Sequence, residues 1–288
     1  MVDILSLYEQ RLARWCQTPQ TRISDPEAAA GLINRVGVAT LFPASPEIPN
    51  LFHAYVGDPE AQTSPQWDSP AGHVYGWRWE LGRQEAAFYS VLVRHRPTWV
   101  SWNLLAAVIR LRGELRAPEE LYLQGELSTD ARRIAQALEE AGGVLSTGEL
   151  RQRAGFPVGK PQRAAYLKVV EELDRRLLLA KVFSMDDDDM CHALVTARYP
   201  EQVAIARRMS REEALEQFLR IYLAQAIYAL PTVLAKHLDL AEAELRMGLD
   251  RLVTAHLAAP VEFPGQKRTC YMWHETGVVT VPVHRAVL

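Results

Sequence analysis

Along the first fifteen positions apolar residues step by three and four. Leu5, Tyr8, Leu12 and Trp15 form one stripe, which predicts a helix over 3–15. Ser24-Asp25-Pro26-Glu27 opens a second, because Asp25 suits an N-cap and proline suits the first turn. That helix should reach about Arg35 and hand over to a short apolar strand, 36–42. From Pro43 to Pro70 the pattern dissolves: prolines at 43, 46, 49, 59, 65 and 70 break any long element, leaving a loop with one short helix at 51–56. Helices are predicted next over 83–94 and 97–112, the second burying Val100, Leu104, Val108 and Leu111.

From residue 128 the periodicity sharpens. Ser128-Thr129-Asp130 caps a helix with Ile134, Leu138 and Ala141 on one side, which ends at Gly142-Gly143. Ser146 or Thr147 caps a short helix to about Ala154. The loop 155–161 then leads into a helix over 162–177, with Tyr166, Val169, Val170, Leu173 and Leu177 inward. Strand-like runs follow at 179–185 and 191–199, joined by Asp186 to Asp189. Three helices and a hairpin in this order are the winged-helix pattern, a helix-turn-helix variant. The order recurs: a helix from Ser210, a short one from Pro231-Thr232, and a third over 240–254 with Leu245, Leu249 and Leu252 inward. A hairpin of 261–263 and 269–273 around Pro264-Gly265 closes the copy. Leu173-Asp174-Arg175 is matched by Leu249-Asp250-Arg251, which marks an internal repeat. The expected fold is predominantly α with small β hairpins, an α+β chain of tandem winged-helix domains. Its expected parts are an N-terminal helical and loop domain at 1–127, with 25–42 suited to a further winged helix, then winged helices at 128–200 and 201–288.

Composition changes this picture little. With 288 residues, 48% hydrophobic and 23% charged, the chain has ample material for a core and no bias toward disorder. Cys16, Cys191 and Cys270 lie too far apart for a disulfide framework or a zinc site and suit a reducing compartment. No run of about eighteen apolar residues is present, and Met1-Val2-Asp3 lacks a basic leader head, so a cytoplasmic protein without membrane contact is expected. Five of the seven tryptophans fall between Trp67 and Trp102, a density that suits a local core.

Several phrases of the N-terminal half carry a family resemblance. Val36-Gly37-Val38-Ala39-Thr40-Leu41-Phe42-Pro43, Tyr75-Gly76-Trp77, Ala87-Phe88-Tyr89-Ser90-Val91-Leu92 and Arg96-Pro97-Thr98-Trp99-Val100-Ser101 resemble the winged-helix family of the AlkZ and YcaQ DNA glycosylases. The likeness is closest to the AlkZ-related branch and runs from about Leu5 to Trp273. It implies tandem winged helices lining a basic cleft for duplex DNA, and cleavage of the glycosidic bond of alkylated or crosslinked purines. The resemblance also implies a Gln-x-Gln or Gln-x-Asp motif that positions water. Anchored on Pro43, it falls at Ala39-Thr40-Leu41, where neither flanking residue is polar. Gln62 and Gln66 stand nearby at a spacing that does not fit.

Net charge is −3, yet it is unevenly spread. Residues 83–116 carry six arginines against Glu85 and Glu114, net +4, and residues 150–181 carry eight basic residues against three acidic ones, net +5. The remainder therefore holds −12. Cation density is what phosphate contacts require, so Arg94, Arg96, Trp99, Arg151, Lys160, Arg163 and Lys168 are the candidate DNA contacts. The second repeat opens its third helix with Glu242 and Glu244, the wrong sign for phosphate, and suits a packing role. For chemistry, Asp58, Glu60 and Asp68 in the proline-rich loop are competent to activate water or stabilise a developing cation. No cofactor and no metal is expected: Asp186–Asp189 lacks the alternation of a metal loop and reads as a solvated hairpin tip. Gly155-x-x-x-Gly159-Lys160-Pro161 is one residue short of a phosphate loop and lacks its Ser or Thr. Cys191 and His192, in one strand, should point to opposite faces.

Three functions remain open on these grounds. The first is a duplex-DNA-binding glycosylase with an atypical or lost active site. The second is a non-catalytic winged-helix regulator or damage sensor, and the third a protein-interaction scaffold.

Overall fold

The computed structural model describes residues 4–156, 159–186, 188–262 and 269–274. One topology occurs three times in it. Each unit runs helix, strand, helix, helix, strand, strand, and its three strands form an antiparallel sheet in the order first, third, second. The three helices and the hairpin are the order the repeat pattern expected; the short strand after the first helix, which completes each sheet, is additional, and the N-terminal half has the same element order.

The first unit uses helices Pro26–Val36, Leu51–Val56 and Pro70–Arg83, with strands Val38–Thr40, Phe88–Val91 and Pro97–Val100. Its register pairs Ala39 with Trp99 and Phe88 with Val100. The second uses helices Thr129–Ala141, Thr147–Arg153 and Lys160–Arg175, with strands Leu145–Ser146, Leu179–Phe183 and Met190–Leu194. The third uses Arg211–Ala226, Pro231–Leu238 and Glu242–Thr254, with strands Tyr228–Ala229, Ala258–Val261 and Cys270–Trp273. The predicted Phe263 and the Pro264-Gly265 turn of its hairpin lie outside the described residues.

Local chemistry explains the boundaries. The Asp25 side chain accepts the Ala28 amide at 2.8 Å and Pro26 starts the helix. Ser146 with Glu149 and Ser210 with Glu213 form reciprocal capping boxes. Gly142, in the left-handed region at φ 63°, ends the Thr129–Ala141 helix.

Three predicted elements are corrected. The region predicted as helix 83–94 is the end of the Pro70–Arg83 helix followed by the strand Phe88–Val91. Phe88, Tyr89 and Ser90 are all buried, so both strand faces are enclosed and no alternation of apolar and polar residues marks the strand. Likewise Pro97–Val100 is a strand, with proline at its first position, and the helix begins only at Trp102. The Pro70–Arg83 helix escaped the pattern because Gly72, Gly76 and Gly82 dilute its apolar stripe. The predicted strand to Tyr199 stops at Leu194 and continues as the Val195–Arg198 helix.

The first and third units share one core, and the second has its own around Ile134, Leu150, Tyr166 and Leu173. The Trp102–Arg112 helix is buried nearly all round, because it packs between units. Gly37, at φ 81°, is where the two meet: a Cβ there would lie 2.9 Å from Ile221 and 3.0 Å from Leu104. A buried polar brace completes the joint. Arg11 donates through Nε to Ala226 O at 2.7 Å and faces Glu47 at 3.5 Å, while Glu47 accepts from Tyr222 Oη at 2.8 Å.

Candidate nucleic-acid site

The loop after the first strand is where the chemistry collects. A cavity of about 480 Å³ opens there, walled by Trp15, Tyr8 and the prolines of Pro43–Pro46, and lined by Gln17, Asn50, His53, Glu60, Arg94 and Arg96. It follows the strand Val38–Thr40, and Ala39, Thr40 and the next residue, Leu41, are wholly buried. Thr40 directs its hydroxyl to Pro49 O at 3.5 Å. The two flanking side chains are apolar and enclosed, so they present nothing to a ligand.

Of the three loop carboxylates, only Glu60 lines this cavity. Asp58 is spent on its own turn, accepting the Glu60 amide at 2.9 Å, and Asp68 is exposed beyond the cavity. His53 explains how Glu60 is held. Its Nε2–H donates to Ala61 O at 3.2 Å, and its Nδ1 accepts from the Asn50 amide at 3.1 Å. Burial pushes this imidazole below its ordinary value, which keeps it neutral and able to make both bonds. His53 thus ties the loop at Ala61 to the Asn50 side chain through its two ring nitrogens.

Arg94 and Arg96 reach the cavity from the tight turn between strands Phe88–Val91 and Pro97–Val100. Arg96 N closes the turn on Val93 O at 2.9 Å. Arg94 and His95 both sit at positive φ, 49° and 56°, as a type I′ turn demands. Glycine or asparagine is the usual choice there, and each ordinary residue in that region costs about 1–2 kcal/mol. The strain is met at the point where two guanidinium groups enter the cavity. Arg94 also donates to Ala44 O at 3.1 Å. Nearby, Ser45 Oγ meets His237 Nδ1 of the third unit at 2.6 Å, and burial together with Arg94 and Lys236 pushes His237 down.

Two residues escaped sequence reasoning. Gln17 is 4% exposed and lines the cavity, yet its Nε2 has no hydrogen-bond partner. A buried unpaired donor costs about 1–3 kcal/mol. Nothing in the local sequence marks it. Trp67, in contrast, is 75% exposed and walls a second cavity of about 280 Å³ with Phe42 and Tyr75. Its turn is rigid, since Ser69 Oγ donates to Ser64 O at 3.1 Å and the backbone at Trp67 leaves no room for a Cβ on Gly72. The tryptophan density read as a local core therefore does not hold for Trp67, which sits in a polar, proline-containing loop.

The other candidates divide. Trp99 is fully buried between Tyr89 and Phe183, so it is a core residue and not a DNA contact. The reason is its strand position, opposite Ala39 at the centre of the sheet. Lys160, Arg163 and Lys168 are exposed along the Lys160–Arg175 helix and enter no ion pair among the described residues. Arg151 is half-buried against Tyr166. Much of the remaining cationic excess is neutralised: Arg83 pairs with Asp188, Arg112 with Asp239, and Arg116 with Glu114 and Glu126. The Arg83–Asp188 pair also corrects the picture of a purely solvated Asp186–Asp189 tip, of which Asp187 lies outside the described residues. In the third unit Glu242 pairs with Arg246 and Glu244 with Arg211. Among the described residues no cluster of His, Cys, Asp or Glu could hold a metal ion, and no helix is long and apolar enough to cross a membrane.

An α+β chain with three like-ordered sheets and a polar cavity beside the first has a solved counterpart. The DNA glycosylase AlkZ of Streptomyces sahachiroi matches it with a TM-score of 0.58 at 14% identity, over 95% of this chain and 70% of that one. At that identity the match defines the fold. The family follows from sequence: the AlkZ-related model matches residues 23–238, and the chain belongs to the AlkZ-related family. A comparison with curated protein sequences returns no match.

Proposed function

We propose that the protein binds duplex DNA through three winged-helix units and hydrolyses the N-glycosidic bond of an alkylated purine. The units correspond to 1–127, 128–200 and 201–288. The observation that carries this reading is the cavity that joins one carboxylate, Glu60, to two arginines, Arg94 and Arg96, at the end of the first unit's opening strand. The family resemblance implies a glutamine motif that positions water; here Ala39 and Leu41 offer no polar group, and Glu60 takes that place. Its carboxylate accepts a proton from water as the oxygen bonds to C1′. The C1′–N bond breaks with its electron pair leaving on the purine, and the carboxylate's charge stabilises the cationic sugar between. Lys160, Arg163 and Lys168 supply phosphate contacts, Arg151 flanks them, and exposed Trp67 offers a stacking face for a base.

Release of alkylated purine from duplex DNA tests the assignment. Glu60→Gln should reduce release by at least about a hundredfold, the usual scale of a general base, while Asp58→Asn and Asp68→Asn leave it within a few-fold. A second reading, a non-catalytic damage sensor, draws on the buried apolar Ala39 and Leu41. It is favoured by salt-dependent duplex binding with no release from any alkylated purine tried.

A further inference from the structure

We infer that Glu47 is a positioning residue for the proposed cleavage: it hangs the proline loop that walls the cavity on the third unit, and so fixes where Glu60 and Arg94 stand. The inference rests on the reading of Glu60 as the cleaving carboxylate, and it gives the third unit a part in that chemistry beyond packing. Glu47 is 1% exposed and does not line the cavity, whereas its neighbours Ser45, Pro46 and Ile48 do. It therefore acts through the loop and not on a ligand. The loop needs outside support, because Pro43, Pro46 and Pro49 remove three of its backbone donors. That support converges on Glu47. One carboxylate oxygen accepts from Tyr222 Oη at 2.8 Å and from the Leu230 amide at 3.3 Å, both in the third unit. The other faces Arg11, which also donates to Pro46 O at 3.4 Å and to the third unit at Ala226 O. Glu47 donates its own amide to Ser45 Oγ at 3.0 Å, and that hydroxyl meets His237 of the third unit.

A buried ion pair adds little stability over apolar residues of the same size. What this one supplies is a fixed geometry, since it joins the loop, the N-terminal helix and the third unit at one point. The loop passes that placement on at both ends. At its start, Ala44 O accepts from Arg94. At its end, Pro49 O accepts the Thr40 amide at 2.9 Å, and Asn50 holds His53, whose Nε2–H bonds Ala61 O beside Glu60. Glu47 lies midway, so loosening it frees the guanidinium and the carboxylate together.

Tyr222→Phe deletes one hydroxyl from this junction and tests the inference on the full chain. In ¹⁵N spectra of the folded protein the Asn50 side-chain amide and the His53 ring nitrogens should shift. Single-turnover release of alkylated purine should fall by about tenfold or more, since a 1 Å misplacement costs on the order of a hundredfold, while the Kd for duplex DNA stays unchanged. A role in stability alone would lower the thermal midpoint and leave the folded protein's signals in place. That result overturns the inference, as do shifted signals with an unaltered release rate. Should Tyr222→Phe fail to fold, His237→Ala removes the second fastening of the loop at a half-buried site and should move the same signals; unmoved signals there overturn it equally. An unmodified protein that releases no purine sinks the cleavage reading, whereas shifted Asn50 and His53 signals in Tyr222→Phe leave the anchoring of the cavity loop by Glu47 standing.

Discussion

His192 shows how completely position decides the behaviour of a single residue. Its strand sends it inward to 4% exposure while Cys191 stays half-exposed, the alternation expected from the sequence. Burial, helped by the charge of Lys181, pushes the imidazole down to about 3. The folded value lies below the ordinary 6.5 of the unfolded chain, so the unfolded state takes up the proton first as pH falls. Stability from this group is present above pH 6.5 and declines toward pH 3, with a slope approaching about 1.4 kcal/mol per pH unit. Urea unfolding at pH 7 and pH 5 should differ by about 2 kcal/mol on its account. His192→Gln should flatten that dependence; an equal slope in the variant would move its origin elsewhere. At the same scale Trp99 and Trp67 are alike in sequence and opposite in role. One is sealed in a central strand, and the other stands on a clamped turn in solvent.

Elements dock through a gap in one helix. Leu81, Leu173 and Leu252 are all fully buried, and each precedes by four residues a turn at positive φ, at Glu85, Leu177 and His256. By that measure the Leu-Asp-Arg match in the sequence is one helical turn out of structural register, although the repeat it pointed to is real. The position after Leu81 is Gly82, where the second unit has Asp174 tied to Lys181. A Cβ on Gly82 would fall 2.1 Å from the Phe183 ring, which is itself fixed by Trp79, Tyr89 and Trp99. Glycine is thus the socket into which the second unit's strand presses Phe183. Gly82→Ala should destabilise the protein by about 1–3 kcal/mol, despite alanine's better helix propensity. Thermal unfolding of a Gly82→Ala, Phe183→Leu cycle should recover most of the loss; additive losses would place the strain elsewhere.

Across the whole molecule, charge is sorted by what the fold leaves unpaired. Both basic stretches were legible in the sequence, but the sequence could not say that Arg83, Arg112 and Arg116 are consumed by carboxylates distant along the chain or across a turn. What survives includes the face of Lys160, Arg163 and Lys168 and the rim of Arg94 and Arg96. Duplex binding should therefore weaken steeply with salt, and Arg163→Glu should cost roughly tenfold or more at low salt and reduce the salt slope. Binding that Arg163→Glu leaves unchanged would remove the Lys160–Arg175 helix from the interface.

The chain alone determined the helices and the hairpin pattern of the second and third units. Caps, helical stripes and hairpin spacing there are local, and local chemistry suffices to form those elements. It also placed Glu60, Arg94 and Arg96 among the residues to watch. Tertiary structure decided the rest. The first unit's strands are buried on both faces and so carry no period, and its third helix is diluted by glycines, of which Gly82 receives the Phe183 ring of the second unit. The cavity draws Gln17, Glu60 and Arg96 from three separate segments, and Gln17 has significance only because folding buries its amide without a partner. Proximity across segments is a property of packing, which periodicity along one segment does not record.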